Sequence, residues 1–510
     1  IKITAPPLGE SNLKIKVSAE DGVKADKECT VSVIRFYEEK PLDKYYNVAT
    51  GQPLDWYTYP KEHAALLKKL GFTSLRSTPS WNVVEREKGT LAIADGSNTA
   101  NNIETYAENG INVSTLTVGY GNKYYTDNTT TSRPDMQPPT EKNQIDAFIN
   151  YAVNIPSLLK SKDGKMLDFQ RYEIWNEPDL FSFNRNEATP ADLAKITNLA
   201  KQAATEIENE MSEPGKQYKL SISGLSVTGL WLNDRRDYWL KEALDAGIAG
   251  GEYGMDMLNV HTYVENAPPE SAKLYNTLKE YQSDIEKNCD VSNMPVLISE
   301  YGYPSSDSKV GSNKADWIVR SALLYKANGV GDMSALYNLE RRGILDTNRE
   351  DCFGIISYLN EKYNNEGKTG IPNDSYLAYA GMNYVLGGKI TDSKVIREDN
   401  VQLLRFTSSK FGTDVYAMWA LEGSDSVTVD LGCKHAILYD SYGNETQIES
   451  VNGLYNVSLG QSVKYIRAAG MQTLIDQNGE EISFINDDTL KIGVKFAVSE
   501  YTKNAKSIIA

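Results

Sequence analysis

The chain has 510 residues, 40% of them hydrophobic, with a formal net charge of −16 and a pI near 4.9, long enough for several domains or one large barrel with appendages. That acidity, without any cluster of Lys and Arg, argues against nucleic acid or an anionic membrane surface as partner, and no run of about 18 apolar residues is present to span a bilayer. Four scattered cysteines (Cys29, Cys289, Cys352, Cys433) and three histidines (His63, His261, His435) leave little for a disulfide scaffold, a His-based triad or a multi-His metal centre, so neither metal nor organic cofactor is expected.

The first 43 residues read as the end of a β-sandwich. Leu13, Ile15 and Val17 alternate with polar neighbours, Asp21-Gly22 marks a turn, and 30–34 is a second β-rich run. From 44 to 387 short apolar runs alternate with helical patterns. The strands are expected at 46–50, 72–77, 111–118, 169–175, 218–226, 255–262, 295–300 and 331–337. The helices that follow them are expected at 60–70, 97–109, 140–160, 190–213, 235–248, 269–288, 314–328 and 374–386. Eight β/α units without hairpins predict a closed parallel (β/α)8 TIM barrel. A doubly wound sheet would want a Gly-rich phosphate loop after its first strand, and Gly51-Gln52-Pro53 is not one.

Residues 388–470 change to alternating runs at 401–406, 414–421 and 426–431, separated by turns such as Glu422-Gly423 and Tyr442-Gly443-Asn444, and predict an antiparallel β-sandwich. Residues 471–510 read as the start of a further β-rich domain, so the barrel is expected to be flanked by all-β sandwich domains in a piece of a larger protein.

Two carboxylates stand at the C-terminal ends of barrel strands, the end where barrel chemistry sits. Glu177 closes the run Tyr172-Glu173-Ile174-Trp175-Asn176-Glu177-Pro178-Asp179-Leu180, and Glu300 closes Val296-Leu297-Ile298-Ser299-Glu300-Tyr301-Gly302. Retaining glycoside hydrolysis needs one acid that gives and takes a proton and one that attacks carbon, roughly 5–5.5 Å apart. Only a fold that brings strand 7 near strand 4 across one mouth can supply that from positions so distant in sequence. Strand alternation would send Asn176 and Glu177 to opposite faces, so both can serve only if the strand ends or bulges there, as Pro178 suggests.

Trp175-Asn176-Glu177-Pro178 and Ser299-Glu300-Tyr301-Gly302 resemble the acid/base and nucleophile motifs of the clan A glycoside hydrolases. Leu70-Gly71-Phe72 through Arg76, Trp81 to Glu85, and Asn109-Gly110-Ile111 through Tyr120-Gly121-Asn122 bring the likeness nearest to family 39, with family 5 a close competitor. The resemblance implies that Glu177 is the general acid/base and Glu300 the nucleophile. Asn176 is suited to hydrogen-bond a sugar 2-hydroxyl. Arg76 resembles the clan's arginine that keeps the nucleophile ionised, the plain alternative being a surface ion pair. His261-Thr262-Tyr263 resembles the clan's His-x-Tyr, which lines the pocket and bonds the nucleophile, although a lone His261 could equally be a satisfied core histidine. Trp81, Tyr120 and Tyr303 follow strands 2, 3 and 7 and are candidates for stacking on sugar, with packing as the alternative. Clan members carry Trp at the end of strand 8, where this chain has Tyr337, which leaves the floor of the −1 subsite open. Glu85, Glu173 and Asp179 are expected to be loop, outward-facing or structural groups.

The expected activity is therefore a retaining β-glycosidase acting on a polysaccharide or its oligosaccharides. The alternatives are a transglycosidase using the same residues and a carbohydrate-binding or adhesin protein with an inactive barrel. By analogy with modular carbohydrate enzymes, the expected location is secreted or cell-surface. Loop shape decides endo against exo action, and the segments 121–139 after strand 3 and 304–313 after strand 7 are placed to close one side of the mouth.

Overall fold

The computed structural model describes residues 7–18, 24–35, 43–50, 54, 59–93, 98–126, 133–159, 171–211, 219–230, 233–289, 291–342, 348–357, 370–409, 413–475 and 481–486. Its centre is a closed barrel of eight parallel strands. After an N-terminal ladder of β1 (Gly9–Ser18) and β2 (Lys24–Val33), the barrel runs β3 (Tyr46–Ala49), β4 (Ser74–Ser77), β5 (Asn112–Val118), β6 (Arg171–Ile174), β7 (Ser221–Val227), β8 (Met257–His261), β9 (Val296–Tyr301) and β10 (Met333–Tyr337), and β10 pairs back with β3. Every residue of β3, β9 and β10 is buried, because helices cover the outside and side chains fill the inside.

The crossovers carry α1 (Pro60–Lys69), a short α2 (Trp81–Val84), α3 (Asn98–Glu108), α4 (Lys142–Leu158), α5 (Pro190–Met211), α6 (Asn233–Asp245), α7 (Pro269–Ala272), α8 (Leu274–Cys289), α9 (Lys314–Ala327) and α10 (Asp374–Leu386). The single helix expected over 269–288 is two. Lys273 takes a left-handed φ of 43°, which a right-handed helix cannot continue through, so α7 ends there and α8 begins. Lys273 also reaches Glu398 at 3.1 Å, tying the break to the neighbouring β domain.

That domain is a sandwich-like pair of antiparallel sheets. Strands β11 (Ile390–Glu398), β12 (Val401–Ser408), β13 (Asp414–Ala420), β15 (His435–Tyr439), β16 (Glu445–Glu449) and β18 (Lys464–Ala468) form the order β11-β12-β13-β18-β15-β16, and β14 (Asp425–Asp430) pairs with β17 (Leu454–Leu459). The two-residue period of a strand divides the larger sheet between two cores. Val401, Leu403 and Met418 meet Val427, Val429 and Val457 inside the sandwich, while Leu404, Phe406, Val415 and Trp419 join the barrel's core. Trp419 donates through Nε1 to Glu270 Oε1 at 2.7 Å, and the Arg320 guanidinium lies 5.6 Å from its ring, so the sandwich is seated on α7 and α9.

The N-terminal ladder meets the sandwich where Leu8 N donates to Asn444 Oδ1 and Arg35 pairs with Glu445. At the other end β19 (Gly470–Ile475) and β20 (Glu481–Asn486) form a two-stranded ladder, and the rest of the expected C-terminal domain, 487–510, lies outside the described residues. Among the described residues no helix is long and apolar enough to cross a membrane.

Candidate active site

Glu177 reaches the barrel mouth through a break in its strand. Beyond β6, Trp175 (φ 67°) and Glu177 (φ 42°) are both left-handed, on either side of Asn176. For residues with a Cβ this conformation costs about 1–3 kcal/mol each and needs anchors. Trp175 N bonds Val118 O at 3.0 Å, Glu177 N bonds Ser226 O at 3.2 Å, and the buried Trp175 indole donates to Phe183 O at 2.7 Å. The break cancels strand alternation, so Asn176 and Glu177 both meet groups inside the mouth. Asp179 supports it from behind by accepting from the backbone N–H groups of Thr228 and Gly229.

Glu300 arrives by another route, near the end of strand β9, where a bulge after Ile298 sets it beside His261 of β8. One carboxylate oxygen accepts from Arg76 Nη1 at 2.6 Å and the other from the Tyr263 phenol at 2.6 Å. Arg76, on β4, is 3% exposed rather than a surface ion-pair partner; besides Glu300 it donates through Nε and Nη2 to Glu173 and through Nη2 to Asn176 Oδ1 at 2.9 Å. His261 faces three carboxylates. Its Nδ1 lies 2.8 Å from Glu177 and 3.5 Å from Glu300, and its Nε2 lies 3.7 Å from Glu173. A carboxylate oxygen of Glu177, one of Glu300 and a ring nitrogen of His261 all lie within 4.8 Å of one another.

The charges are arranged unequally. Burial alone would lower the Arg76 pKa, but Glu173 and Glu300 outweigh it and raise it further. For Glu173 burial pushes upward, yet Arg76 and His261 hold the carboxyl well below its usual range. Burial likewise works against the His261 proton, and Glu300, Glu173 and Glu177 together overcome it, pushing its pKa up to about 10. Glu177 moves the other way from Glu173: burial raises its pKa, the charges of Glu300 and Asp179 add to this, and only the His261 ring opposes. Arg76 and Glu173 thus hold each other charged, and Glu177 is the carboxyl of the group whose proton burial favours.

Glu177, His261 and Glu300 also have the spacing of a metal-holding group. A ligating imidazole must offer a lone pair, whereas the surrounding carboxylates by themselves favour the imidazolium.

Of the aromatic candidates the structure brings some to the mouth and removes others. Trp81 is a correction: Tyr125 and Tyr151 stack on it at 5.4 and 5.2 Å, its Nε1 donates to Glu85, and at 2% exposed it has no surface left for a sugar. Tyr303 is a second, being 2% exposed and packed on Trp317. Tyr120 is half-buried, stacked on Phe183 and edge-on to Trp175, within the electrostatic reach of Arg76, Glu300 and Glu177. Tyr337 stands edge-on to Tyr263 at 6.3 Å and receives a bond from Arg342 Nη1 at 3.2 Å.

Glu173 is neither a loop nor an outward-facing group but the structural one among those alternatives, wholly buried at the centre of the charge set; a carboxylate two residues before Trp175 on an inward-facing strand position was the available signal. Glu85 is structural, accepting from Trp81, Gly89 N and the Tyr125 phenol. Phe353, which packs on both Tyr263 and Tyr337, comes from a loop with no pattern to mark it.

No protein-family model matches the chain, and no curated protein sequence does. Solved structures do. A family 39 glycoside hydrolase from the gut symbiont Bacteroides cellulosilyticus WH2 aligns at a TM-score of 0.68 and 18% identity, over 91% of this chain and 88% of its own. A glucosidase from Croceicoccus marinus aligns at 0.56 and 13%, over 85% and 99%, and a GH30 endoxylanase from Clostridium papyrosolvens C71 at 0.54 and 13%, over 86% and 99%. The likeness is one of fold, and it falls on the architecture that the motif resemblance implied.

Proposed function

We propose that the protein is a retaining β-glycoside hydrolase acting on a polysaccharide or its oligosaccharides, with Glu177 as acid/base and Glu300 as nucleophile. The observation that carries this reading is the pair itself: two carboxylates with oxygens within 4.8 Å across one mouth, the reach that double displacement requires, with the Glu177 pKa raised by burial. Glu300, bonded by Arg76 and Tyr263, attacks the anomeric carbon. As the glycosidic C–O bond breaks, Glu177 gives its proton to the departing oxygen, and the sugar becomes an ester of Glu300. The Glu300 charge is then consumed, so the pKa of Glu177 falls. Its carboxylate takes a proton from water as that water attacks the same carbon and releases Glu300.

Asn176 supports the same reading. Its Oδ1 is engaged by Arg76, which leaves Nδ2 to donate to a sugar 2-hydroxyl, a contact that strengthens as charge develops on the ring. Tyr120, Tyr263 and Tyr337 are read as the walls that face the sugar. A secreted or surface-attached location follows by analogy from a barrel carried among β domains.

The test is turnover of a panel of aryl glycosides, followed by product analysis. Glu300→Ala should abolish turnover, and azide should restore it with an inverted glycosyl azide as product. Wild-type-like rates in Glu300→Ala, or sugar binding without any turnover by the intact protein, would return the chain to the binding-protein alternative.

A further inference from the structure

The first residue of α9 is a buried cation with no carboxylate against it among the described residues. Lys314 is 4% exposed, and its Nζ donates to three consecutive backbone carbonyls, those of Cys352 (2.8 Å), Phe353 (2.8 Å) and Gly354 (2.9 Å). A helix N-terminus is the wrong end for a positive charge, and desolvation penalises it further. Burial and the nearby Arg341 push its pKa down to about 7, with only the Cys352 thiol pulling upward. Leu or Met would fill this place without those costs, so the three carbonyls are the feature that distinguishes a lysine here.

Those carbonyls bracket Phe353. The Phe353 ring stands edge-on to Tyr263 at 5.6 Å and to Tyr337 at 5.2 Å, and the Arg349 guanidinium lies 5.4 Å from its centre. Tyr263 in turn donates to Glu300 Oε2 at 2.6 Å. The segment has other ties, from Ser305 to Cys352 O and from Asn373 Nδ2 to Gly354 O. Gly354 lies so close to residue 341 that a Cβ there would stand 2.0 Å from Arg341 N. Among the described residues Lys314 is the one group that grips all three carbonyls.

We propose that Lys314 is a positioning residue for Glu300: by clamping the backbone of 352–354 it seats Phe353 against Tyr263, and so sets where the Tyr263 phenol holds the Glu300 carboxylate. This role rests on Glu300 being the nucleophile. The ammonium form has three N–H donors for three carbonyls, whereas the neutral amine has two and turns a lone pair toward the third. The clamp is therefore complete below pH about 7 and weakens above it. The charged or titratable groups facing Lys314 are Arg341 and Cys352, and those facing the clamped segment are Arg349, itself paired with Asp307, and the phenols of Tyr263 and Tyr337; among the described residues no carboxylate pairs with Lys314.

The experiment compares wild type with Lys314→Met and Phe353→Leu in kcat/KM across pH 5–9 on an aryl glycoside, alongside thermal unfolding. A displaced nucleophile costs roughly tenfold to a hundredfold, and that loss is expected in kcat/KM for Lys314→Met at pH 5–6. The ratio of wild type to Lys314→Met should then shrink as pH rises through about 7, where the wild type loses its own clamp. Any limb due to Glu177 cancels in that ratio. Phe353→Leu should show a similar loss while leaving the lysine in place, and adding Lys314→Met to it should cost little more. Should Lys314→Met not fold, the Phe353→Leu result decides: a wild-type rate in that variant overturns the proposal. A folded Lys314→Met with wild-type rates, or a ratio that does not change with pH, overturns it while leaving Glu300 as nucleophile. Absence of turnover in the wild type on every glycoside removes the glycosidase reading and this role together.

Discussion

The two barrel strands that deliver the acids are built differently. Strand β9 takes in a bulge after Ile298 yet stays a strand to Tyr301, and Glu300 is gripped at both oxygens, by a guanidinium and by a phenol. Strand β6 gives way to two left-handed residues, and among the described residues Glu177 has one side-chain hydrogen-bond partner, the His261 ring. A carboxylate proposed as nucleophile must be aimed before substrate arrives, and a bond at each oxygen aims it. An acid/base has to lose and regain a proton within each turnover, which a doubly anchored carboxylate would do poorly. The difference between the two sites matches the two jobs proposed for them.

The comparison can be broken at either end. The largest effect is expected for Glu300→Ala, which should lose roughly 10⁴-fold or more in kcat with every leaving group, as removal of a nucleophile does. Glu177→Ala should be selective: natural substrates lose most of their rate, while glycosides with activated leaving groups keep much of the first step, as measured by the burst of released phenol. Because Glu177 must start protonated, wild-type activity should fall as pH rises through its raised pKa, and Glu177→Gln should show no such alkaline limb. A Glu177→Gln profile identical to the wild type's would remove it from the acid role.

Arg76→Met should act on folding as well as rate. It leaves Glu173 and Glu300 buried without their partner, and a broken buried pair costs about 3–5 kcal/mol, measurable by urea unfolding. Tyr263→Phe removes one neutral donor from Glu300 and should lower kcat about tenfold to a hundredfold with little change in stability. The smallest catalytic effect is expected at Trp81. With both faces covered by Tyr125 and Tyr151, Trp81→Phe should cost stability and leave KM for oligosaccharides unchanged. A raised KM would put Trp81 back among the sugar contacts.

Much of this molecule is legible in one dimension. Eight apolar runs alternating with helical patterns specify a closed barrel, since strands covered on both faces lose their polar alternation. The acids could be singled out because each ends such a run, and Arg76, His261 and Tyr263 because of what surrounds them in sequence. The Asn176–Glu177 conflict even announced the break in β6, since two adjacent residues cannot share a face of an unbroken strand.

What the tertiary structure alone decided is which side chains have an open face and which charges meet. Trp81 and Tyr303 have the residue type and loop position of sugar contacts, but exposure depends on what other segments lay over them, and Tyr125, Tyr151 and Trp317 come from elsewhere in the chain. Glu173 looks outward or structural until Arg76 and His261, on other strands, are seen on either side of it. Lys314 and Phe353 carry no local signal, because their relation is one of backbone carbonyls and ring edges. Periodicity records whether a residue is buried in its own element; the partners it is buried with are set by chain closure, and those partners fix charge, aim and access.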